Sequence, residues 1–237
     1  MPDRFILNPL ASGDAVLTEQ EREMGVVVID IGGGTTDLAI FIEGTVWHSA
    51  VIAVGGDLMT NDITHWMHVP FDVAEAVKVQ HGCALESMVS PLETFLVQPF
   101  GEGLPTEVHR SELAMVLEAR VTELFEMVQT EVKRSGYDGL LRAGAVITGG
   151  CAQLPGIREI AQKILNCPVR VAKPEKLTGM ADALRSPSFS TSVGLLRLGL
   201  QMDAVASTTF STNNGSQIKV GSLIKGFFQR LLPDEDR

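Results

Sequence analysis

The clearest hydrophobic pattern of the chain lies in the segment GVVVIDIGGGTTDLAIF, residues 25–41, where two apolar runs flank three glycines. The first run is continuous and rich in Val and Ile, which is typical of a strand buried on both faces of a sheet. TDLAIFIEG and TVWHSAVIAVGG predict two further strands, separated by a turn at Glu43 and Gly44. This region therefore predicts a strand, a glycine turn, a strand, a tight turn and a third strand.

Helical periodicity follows these strands. GDLMTNDITHWM and PFDVAEAVKVQHG both place apolar residues at the spacing of one helix face. Residues 84–110 are interrupted by Gly and Pro and predict the short strands and loops of an inserted subdomain. RSELAMVLEARVTELFEMVQTEVKRSG then predicts the longest helix, with Ser111 as its cap and Gly136 as its end.

A second buried strand with a glycine turn follows in AGAVITGGCAQLPGIREIAQKILN. The turn lies at Gly149 and Gly150, and Pro155 and Gly156 open the next predicted helix. CPVRVAKP predicts a short strand and SPSFSTSVGLLRLGLQ a final helix. The alternation of strands and helices favours an α/β fold.

The last part of the chain differs from the rest. Residues 202–217, MDAVASTTFSTNNGSQ, are small and polar and predict a flexible linker. Residues 218–232 predict a short amphipathic helix that suits a membrane interface. Its apolar half contains Leu223, Ile224, Phe227, Phe228, Leu231 and Leu232. Such a helix can also dock on its own protein, and the acidic end PDEDR weakens attraction to anionic lipid.

Composition narrows the function classes. The chain has 237 residues, of which 45% are hydrophobic, so it can bury a substantial core. The net charge of −10 argues against nucleic acid as a partner. Three cysteines without a paired motif suggest neither a disulfide framework nor a zinc site, which favours a reducing cytoplasm. The N-terminus lacks a signal-peptide pattern, and no apolar run is long enough to span a bilayer, so we expect a chain neither secreted nor integral to a membrane.

The first glycine turn carries candidate chemistry for an anion. Gly32, Gly33 and Gly34 are expected to adopt positive φ and to present bare N–H groups, and the hydroxyls of Thr35 and Thr36 add donors. Phosphate is the expected guest. A carboxylate at Asp30 would repel it unless a cation intervenes, so we expect magnesium, held through water.

Other interpretations of this turn fit less well. A Walker A loop needs a lysine that is absent here, and the dinucleotide fingerprint needs a helix directly after the turn. A plain tight hairpin that requires small residues remains an alternative. The second turn after a buried strand, TGG at residues 148–150, favours the phosphate interpretation.

VVVIDIGGGTTDLAIF resembles the second phosphate motif of the actin, Hsp70 and sugar-kinase superfamily, and GAVITGGCAQLPGIREIAQKI resembles its adenosine motif. Together with AVGGDLMTNDI, AEAVKVQHGCAL and SFSTSVGLL, they resemble the FtsA family of bacterial actin homologues. The resemblance implies an actin-like (ribonuclease H-like) ATPase subdomain, with a mixed sheet flanked by helices. It implies a subdomain 2A core at 1–60 and 140–201, an inserted α+β subdomain 2B at 61–139, the linker, and the amphipathic helix.

The resemblance also implies roles for individual residues. Asp30 would be the magnesium-side carboxylate, and the glycine turn would hold the β and γ phosphates of ATP. Glu75 and Lys78 would lie near the ribose and adenine, although a solvated surface pair is the alternative. Gly149, Gly150, Gln153 and Leu154 would lie beside the adenine. Arg120 and Glu123 resemble an R-x-x-E that the family uses for the C-terminal tail of FtsZ, although exposed helices commonly carry such charges.

For the whole protein, the resemblance implies an ATP-binding cell-division protein of the divisome. It would polymerise into actin-like filaments and tether the FtsZ ring to inner-leaflet phospholipid at the septum, on the cytoplasmic side of the bacterial membrane. The family's first half has no counterpart here, so we expect at most weak nucleotide binding, no catalytic residues and no ATP hydrolysis by this chain alone, with at most a weak ATPase in the full-length protein. A fragment of a sugar kinase or of an Hsp70-like chaperone is the alternative.

Overall fold

The computed structural model describes residues 5–101, 104–175, 177 and 184–210, with side chains as far as Met202. The chain divides into a compact unit at 1–198 and a second unit at 199–237. The elements below belong to the first unit, except that the last helix begins in it and extends into the second.

Five strands of the described region form one mixed sheet in the order β3-β2-β1-β6-β7. The central strand β1 pairs antiparallel with β2, placing Asp30 opposite Asp37, and parallel with β6, placing Asp30 opposite Thr148. A separate hairpin is formed by β4 and β5. The strands are β1 Val26–Ile31, β2 Thr36–Ile42, β3 Thr45–Ile52, β4 Thr94–Val97, β5 Thr106–His109, β6 Gly144–Thr148 and β7 Val169–Val171.

Helices cover both faces of this sheet, which explains the continuous apolar run of β1. Val27, Ile29 and Ile31 join the core formed with α3 to α6, whereas Val26 and Val28 face the core formed with α1 and α7. The α-helices are α1 Asn8–Val16, α2 Glu19–Met24, α3 Gly56–Met67, α4 Phe71–His81, α5 Arg110–Ser135, α6 Ile157–Leu165 and α7 Ser190–Phe210. The α/β class and the mixed sheet flanked by helices are confirmed.

The long helix α5 begins differently from the prediction. Its cap is His109 and its first residue is Arg110, so Ser111 lies inside the helix and is not the cap. The reason is that β5 stays paired to Glu93 and Thr94 up to the helix: the Arg110 N–H donates to the Glu93 carbonyl at 2.9 Å. At the other end Gly136 takes φ 78° and closes the helix as predicted.

The final helix is longer than predicted. It continues to Phe210, so the first nine residues of the predicted linker, 202–210, are helical. The remaining linker residues and the predicted membrane helix, including Leu223, Ile224, Phe227, Phe228, Leu231 and Leu232, lie outside the described residues. Among the helices that the structure describes, none is both long and apolar enough to cross a bilayer. The subdomain boundaries stay predictions.

Candidate nucleotide site

A cavity of about 430 Å³ lies where the two glycine turns meet helices α3 and α4. Because β1 and β6 are parallel neighbours, their carboxyl ends, each followed by a glycine turn, reach the same edge of the sheet. The cavity is lined by Gly32, Gly33, Gly56, Asp57, Met59, Glu75, Lys78, Val79, Gly150, Cys151, Gln153, Leu154, Pro155 and Ser188. Seven of the predicted site residues thus meet in one place: Gly32, Gly33, Glu75, Lys78, Gly150, Gln153 and Leu154.

The first glycine turn uses its carbonyls to hold α3. The Gly32 and Gly33 carbonyls accept hydrogen bonds from the N–H groups of Gly56 and Asp57 at 2.9 and 2.8 Å. Within the described part of the chain, the N–H groups of Gly33 and Gly34 donate no hydrogen bond, although the Asp57 carboxylate lies close to Gly33. The turn therefore presents free backbone donors, as an anion site requires.

The expected positive φ of this turn is wrong, because none of its three glycines adopts it. Space explains the glycines better. A Cβ on Gly33 would lie 3.2 Å from Asp57 Oδ1, and one on Gly32 would lie 3.2 Å from the Thr35 carbonyl. At Gly34, which is exposed, a Cβ would meet nothing within 4 Å. The missing side chains leave the turn open to close approach by a ligand.

The two threonines after the turn have different environments. Thr36 is fully buried, and its hydroxyl donates to the Val54 carbonyl at 2.8 Å. That placement does not fit the predicted phosphate contact. Thr35 is exposed, and its hydroxyl donates to Asp37 at 3.0 Å. Of the two, Thr35 alone remains accessible to a ligand.

Asp30 lies beneath the turns, outside the cavity wall. The residue is only 7% exposed, and its carboxylate accepts a hydrogen bond from Thr191 at 2.6 Å. Burial raises the pKa of Asp30, while the Thr191 hydroxyl opposes that shift. Among the described residues no group of three His, Cys, Asp or Glu side chains forms a metal site. The role of Asp30 toward a cation, through water, stays a prediction.

Glu75 and Lys78 form an ion pair on α4, and the lysine is fixed by further hydrogen bonds. Lys78 Nζ lies 2.7 Å from Glu75 Oε2 and donates to the Gly56 carbonyl at 3.0 Å and to Thr60 Oγ1 at 2.7 Å. The Lys78 side chain is 10% exposed. Although burial raises the pKa of Glu75, hydrogen bonds from Lys78 and Thr60 and the lysine charge lower it overall. The Glu75 side chain is 42% exposed, so the pair is buried at its lysine end and solvated at its carboxylate end.

The second glycine turn forms the opposite wall. Gly149 takes φ 89°, and a Cβ there would lie 2.4 Å from the Ile31 carbonyl and 2.5 Å from Asp30 Oδ1, so only glycine fits. Gly149 lies under the wall, and Gly150 lines it. Gln153 Nε2 donates hydrogen bonds to Ser188 Oγ at 3.0 Å and to the Gly150 carbonyl at 3.3 Å. The result is a bare backbone surface with polar groups at its rim.

Several lining residues escaped the sequence interpretation. Gly56 lines the cavity, and its neighbour Gly55, which lies outside the wall, packs directly on the first turn, where a Cβ on Gly55 would lie 2.4 Å from the Gly33 carbonyl; the GGD sequence was the available signal. No sequence pattern identified Asp57, Cys151 or Ser188 as lining residues. The Cys151 thiol donates to the Gly32 carbonyl at 3.4 Å, and burial raises its pKa.

A second concavity, here called the α3–α5 groove, has a volume of about 670 Å³. Arg120 forms a two-point ion pair with Asp62 at 2.6 and 2.8 Å and also pairs with Glu123. The Asp62 hydrogen bonds raise the pKa of Arg120, so it stays charged. The groove is lined by Asp62, His65, Trp66, Val116, Ala119, Arg120 and Glu123. The structure thus places both predicted partner-binding residues in one groove.

Comparisons with known proteins agree on a family. The model of the family described as cell division protein FtsA matches residues 27–194. The chain is 47% identical over 199 residues to cell division protein FtsA of Pseudomonas aeruginosa, covering 84% of this chain and 48% of that protein. It is 40% identical over 228 residues to cell division protein FtsA of Escherichia coli K12, covering 92% and 54%. The chain thus spans about half the length of these relatives.

Solved structures match the fold. MreB5 of Spiroplasma citri bound to AMPPNP is 22% identical, with a TM-score of 0.61 over 84% of this chain and 59% of that one. A MamK double helical filament is 21% identical, with a TM-score of 0.57 over 81% and 58%. At these identities the likeness establishes an actin-like fold and nothing more.

Proposed function

We propose, since this chain belongs to the FtsA family of cell-division proteins, that its cavity is one side of an ATP site in a protein that polymerises and tethers FtsZ to the membrane. One observation carries the proposal: three distant segments bring free backbone donors, an ion pair and a bare glycine wall around one cavity. No observation favours the sugar-kinase or chaperone alternative.

In this proposal each wall has a role. The free N–H groups of Gly33 and Gly34 bind the β and γ phosphates, because unpaired backbone donors suit an anion. Glu75 and Lys78 face the ribose and adenine with an acceptor and a cation. Gly150, Gln153 and Leu154 hold the adenine against bare backbone. MreB5 of Spiroplasma citri, which has the same fold, was solved bound to AMPPNP and to ADP, and this supports a nucleotide here.

Magnesium belongs to the same proposal. When bound, it would supply positive charge that neutralises the phosphates. Asp30 would hold it through water, since its carboxylate is near the turn but outside the cavity wall. A nearby cation would also favour the ionised form of this buried carboxyl, whose pKa burial raises.

The experiment for the ATP site is a calorimetric titration of the chain with ATP, with and without magnesium. We expect weak binding, because the chain spans about half of its relatives, and tighter binding with magnesium. Absence of heat at millimolar ATP would contradict the site in this chain. Asp30→Asn should remove the magnesium dependence and leave the magnesium-free affinity nearly unchanged.

The α3–α5 groove is the proposed site for the C-terminal tail of FtsZ. Arg120 supplies a charged, planar donor there, but Asp62 and Glu123 already occupy it. A bound peptide therefore has to share or exchange these partners. Arg120→Ala should weaken binding of a synthetic FtsZ tail peptide by about 30-fold, the range of an arginine at an interface centre. Arg158→Ala removes an exposed arginine on α6 and serves as the matched control. Equal loss in both variants would contradict the assignment.

Filament formation and membrane attachment complete the proposal. The first is supported by the family and by the MamK relative, which is described as a double helical filament. The second rests on the amphipathic pattern of residues 218–232. Sedimentation with anionic liposomes, comparing the chain with a version lacking 218–237, tests it. We expect pelleting only of the longer chain, and equal pelleting would contradict the anchor.

A further inference from the structure

Thr60 lies at the centre of the polar contacts behind the cavity. It is fully buried on the second turn of α3, one helical turn after Gly56. Its Oγ1 lies 3.0 Å from the Gly56 carbonyl and 2.7 Å from Lys78 Nζ, and it also contacts Glu75 Oε2. Glu75 and Lys78 line the cavity, whereas Thr60 does not.

The hydrogen-bonding capacity of a hydroxyl fixes the arrangement. Thr60 has one proton, and its oxygen accepts from Lys78, which has only donors to offer. The proton then goes to the Gly56 carbonyl or to the Glu75 carboxylate. Glu75 is the stronger acceptor because it is charged, and its lowered pKa is consistent with that bond.

A bond from threonine to the carbonyl four residues earlier is common in helices and by itself has no functional meaning. Thr130 makes such a bond to the Glu126 carbonyl on an exposed face of α5. Thr60 differs because both charged groups of the ion pair meet at its oxygen, which is itself fully buried although the Glu75 side chain is 42% exposed. Loss of the hydroxyl would leave the mostly buried Lys78 ammonium without one of its acceptors.

We infer that Thr60 is a positioning residue for the nucleotide site: its hydroxyl holds Lys78 and Glu75 in one arrangement across α3 and α4. The inference rests on the proposed ATP site. Oε2 of Glu75 is used by Thr60 and Lys78, which leaves Oε1 for a ligand. Without the hydroxyl, the ammonium and the carboxylate keep each other but lose their shared anchor on α3.

Three variants of the full chain test this inference. Thr60→Val keeps the shape and removes the hydroxyl, and Thr60→Ser keeps the hydroxyl. Thr64→Val is the matched control, since Thr64 lies one turn further along α3 and its buried hydroxyl has no hydrogen-bond partner among the described residues. Each variant is compared in two assays: titration with ATP, and the rate at which acetic anhydride acetylates Lys78, quantified by peptide mass spectrometry without nucleotide.

We expect Thr60→Val to weaken ATP binding about tenfold, which corresponds to ~1.4 kcal/mol. In this variant, acetic anhydride should acetylate Lys78 several-fold faster than in the wild type. Thr60→Ser and Thr64→Val should match the wild type in both assays. Wild-type ATP affinity in Thr60→Val, or unchanged acetylation of Lys78, would overturn the inference, as would equal losses in Thr60→Ser and Thr60→Val. If the wild type binds no ATP, the proposed function fails, and acetylation still decides whether Thr60 holds Lys78.

Discussion

Gly33→Val separates ligand approach from fold stability at the first glycine turn. Gly33 lines the cavity, and its φ is not left-handed, so valine does not have to adopt a left-handed backbone there. The new Cβ would lie 3.2 Å from Asp57 Oδ1. Because Asp57 is exposed, its side chain can move away. We therefore expect the free energy of unfolding to fall by less than about 1 kcal/mol.

The expected effect on binding is larger. The valine branches occupy the space through which a phosphate would approach the free N–H groups of Gly33 and Gly34. A hydrogen bond to a charged group contributes about 1.5–3 kcal/mol. Losing one such bond corresponds to roughly 10- to 150-fold weaker binding.

The assay pairs calorimetric titration of ATP with urea unfolding followed by circular dichroism. Gly139→Val is the control, because a Cβ there would meet nothing within 4 Å and Gly139 lies outside the cavity wall. Unchanged ATP affinity in Gly33→Val would refute the assignment of phosphate to this turn. A stability loss well above 1 kcal/mol would refute the claim that space for a ligand, and not packing, requires glycine here.

Further predictions concern the body of the fold. Gly194→Ala should destabilise the protein by about 1–3 kcal/mol, because its Cβ would lie 1.8 Å from the Ala11 carbonyl oxygen; Gly199→Ala, on the same helix with open space around it, should stabilise it by about 0.5–1 kcal/mol. Thermal unfolding measures the stability of both variants. Equal effects of the two substitutions would contradict the close packing of Gly194 against Ala11. Glu21→Gln should cost about 1 kcal/mol near neutral pH, since it breaks a two-point ion pair with Arg170 at 2.6 and 2.7 Å.

The pH dependence of the Glu21 contribution follows from its pKa. Burial raises the pKa of Glu21, but the hydrogen bonds from Arg170 and Thr18 and the arginine charge lower it overall. A folded pKa below the unfolded one gives stability that is present above the unfolded pKa and is lost as pH falls through the folded pKa. Wild type and Glu21→Gln should therefore converge in stability at acid pH, and a constant difference would contradict this assignment.

The sequence predicted the elements whose local pattern is strong. The continuous run before Gly32 gave a central strand, and Gly136 ended α5 because that position needs a left-handed backbone. The prediction of Ser111 as the cap was wrong because β5 stays paired up to the start of α5, so the helix begins earlier than the capping pattern suggests. Local signals do not contain the tertiary pairing that overrode them.

The site was only partly predictable, because the sequence shows local patterns but not which distant residues meet in the fold. The glycine turns and the spacing of Glu75 and Lys78 are visible in the sequence. The sequence shows Thr60 only as a residue of a helix, because its contact with Lys78 depends on the packing of α4 against α3. The ion pair of Arg120 with Asp62 joins residues 58 positions apart. The explanation of Gly33 also changed, because its backbone is not left-handed and the space left by the missing side chain explains the glycine instead.

Photolabelling with 8-azido-ATP would show directly whether ATP binds in this cavity. Irradiation of the intact chain, followed by peptide mass spectrometry, reports which residues lie beside the adenine. We predict a label on the segment 150–155 or on α4 near Lys78, with protection by excess ATP and loss of the label in Gly33→Val. Labelling elsewhere, or labelling that excess ATP does not reduce, would contradict an ATP site in this cavity.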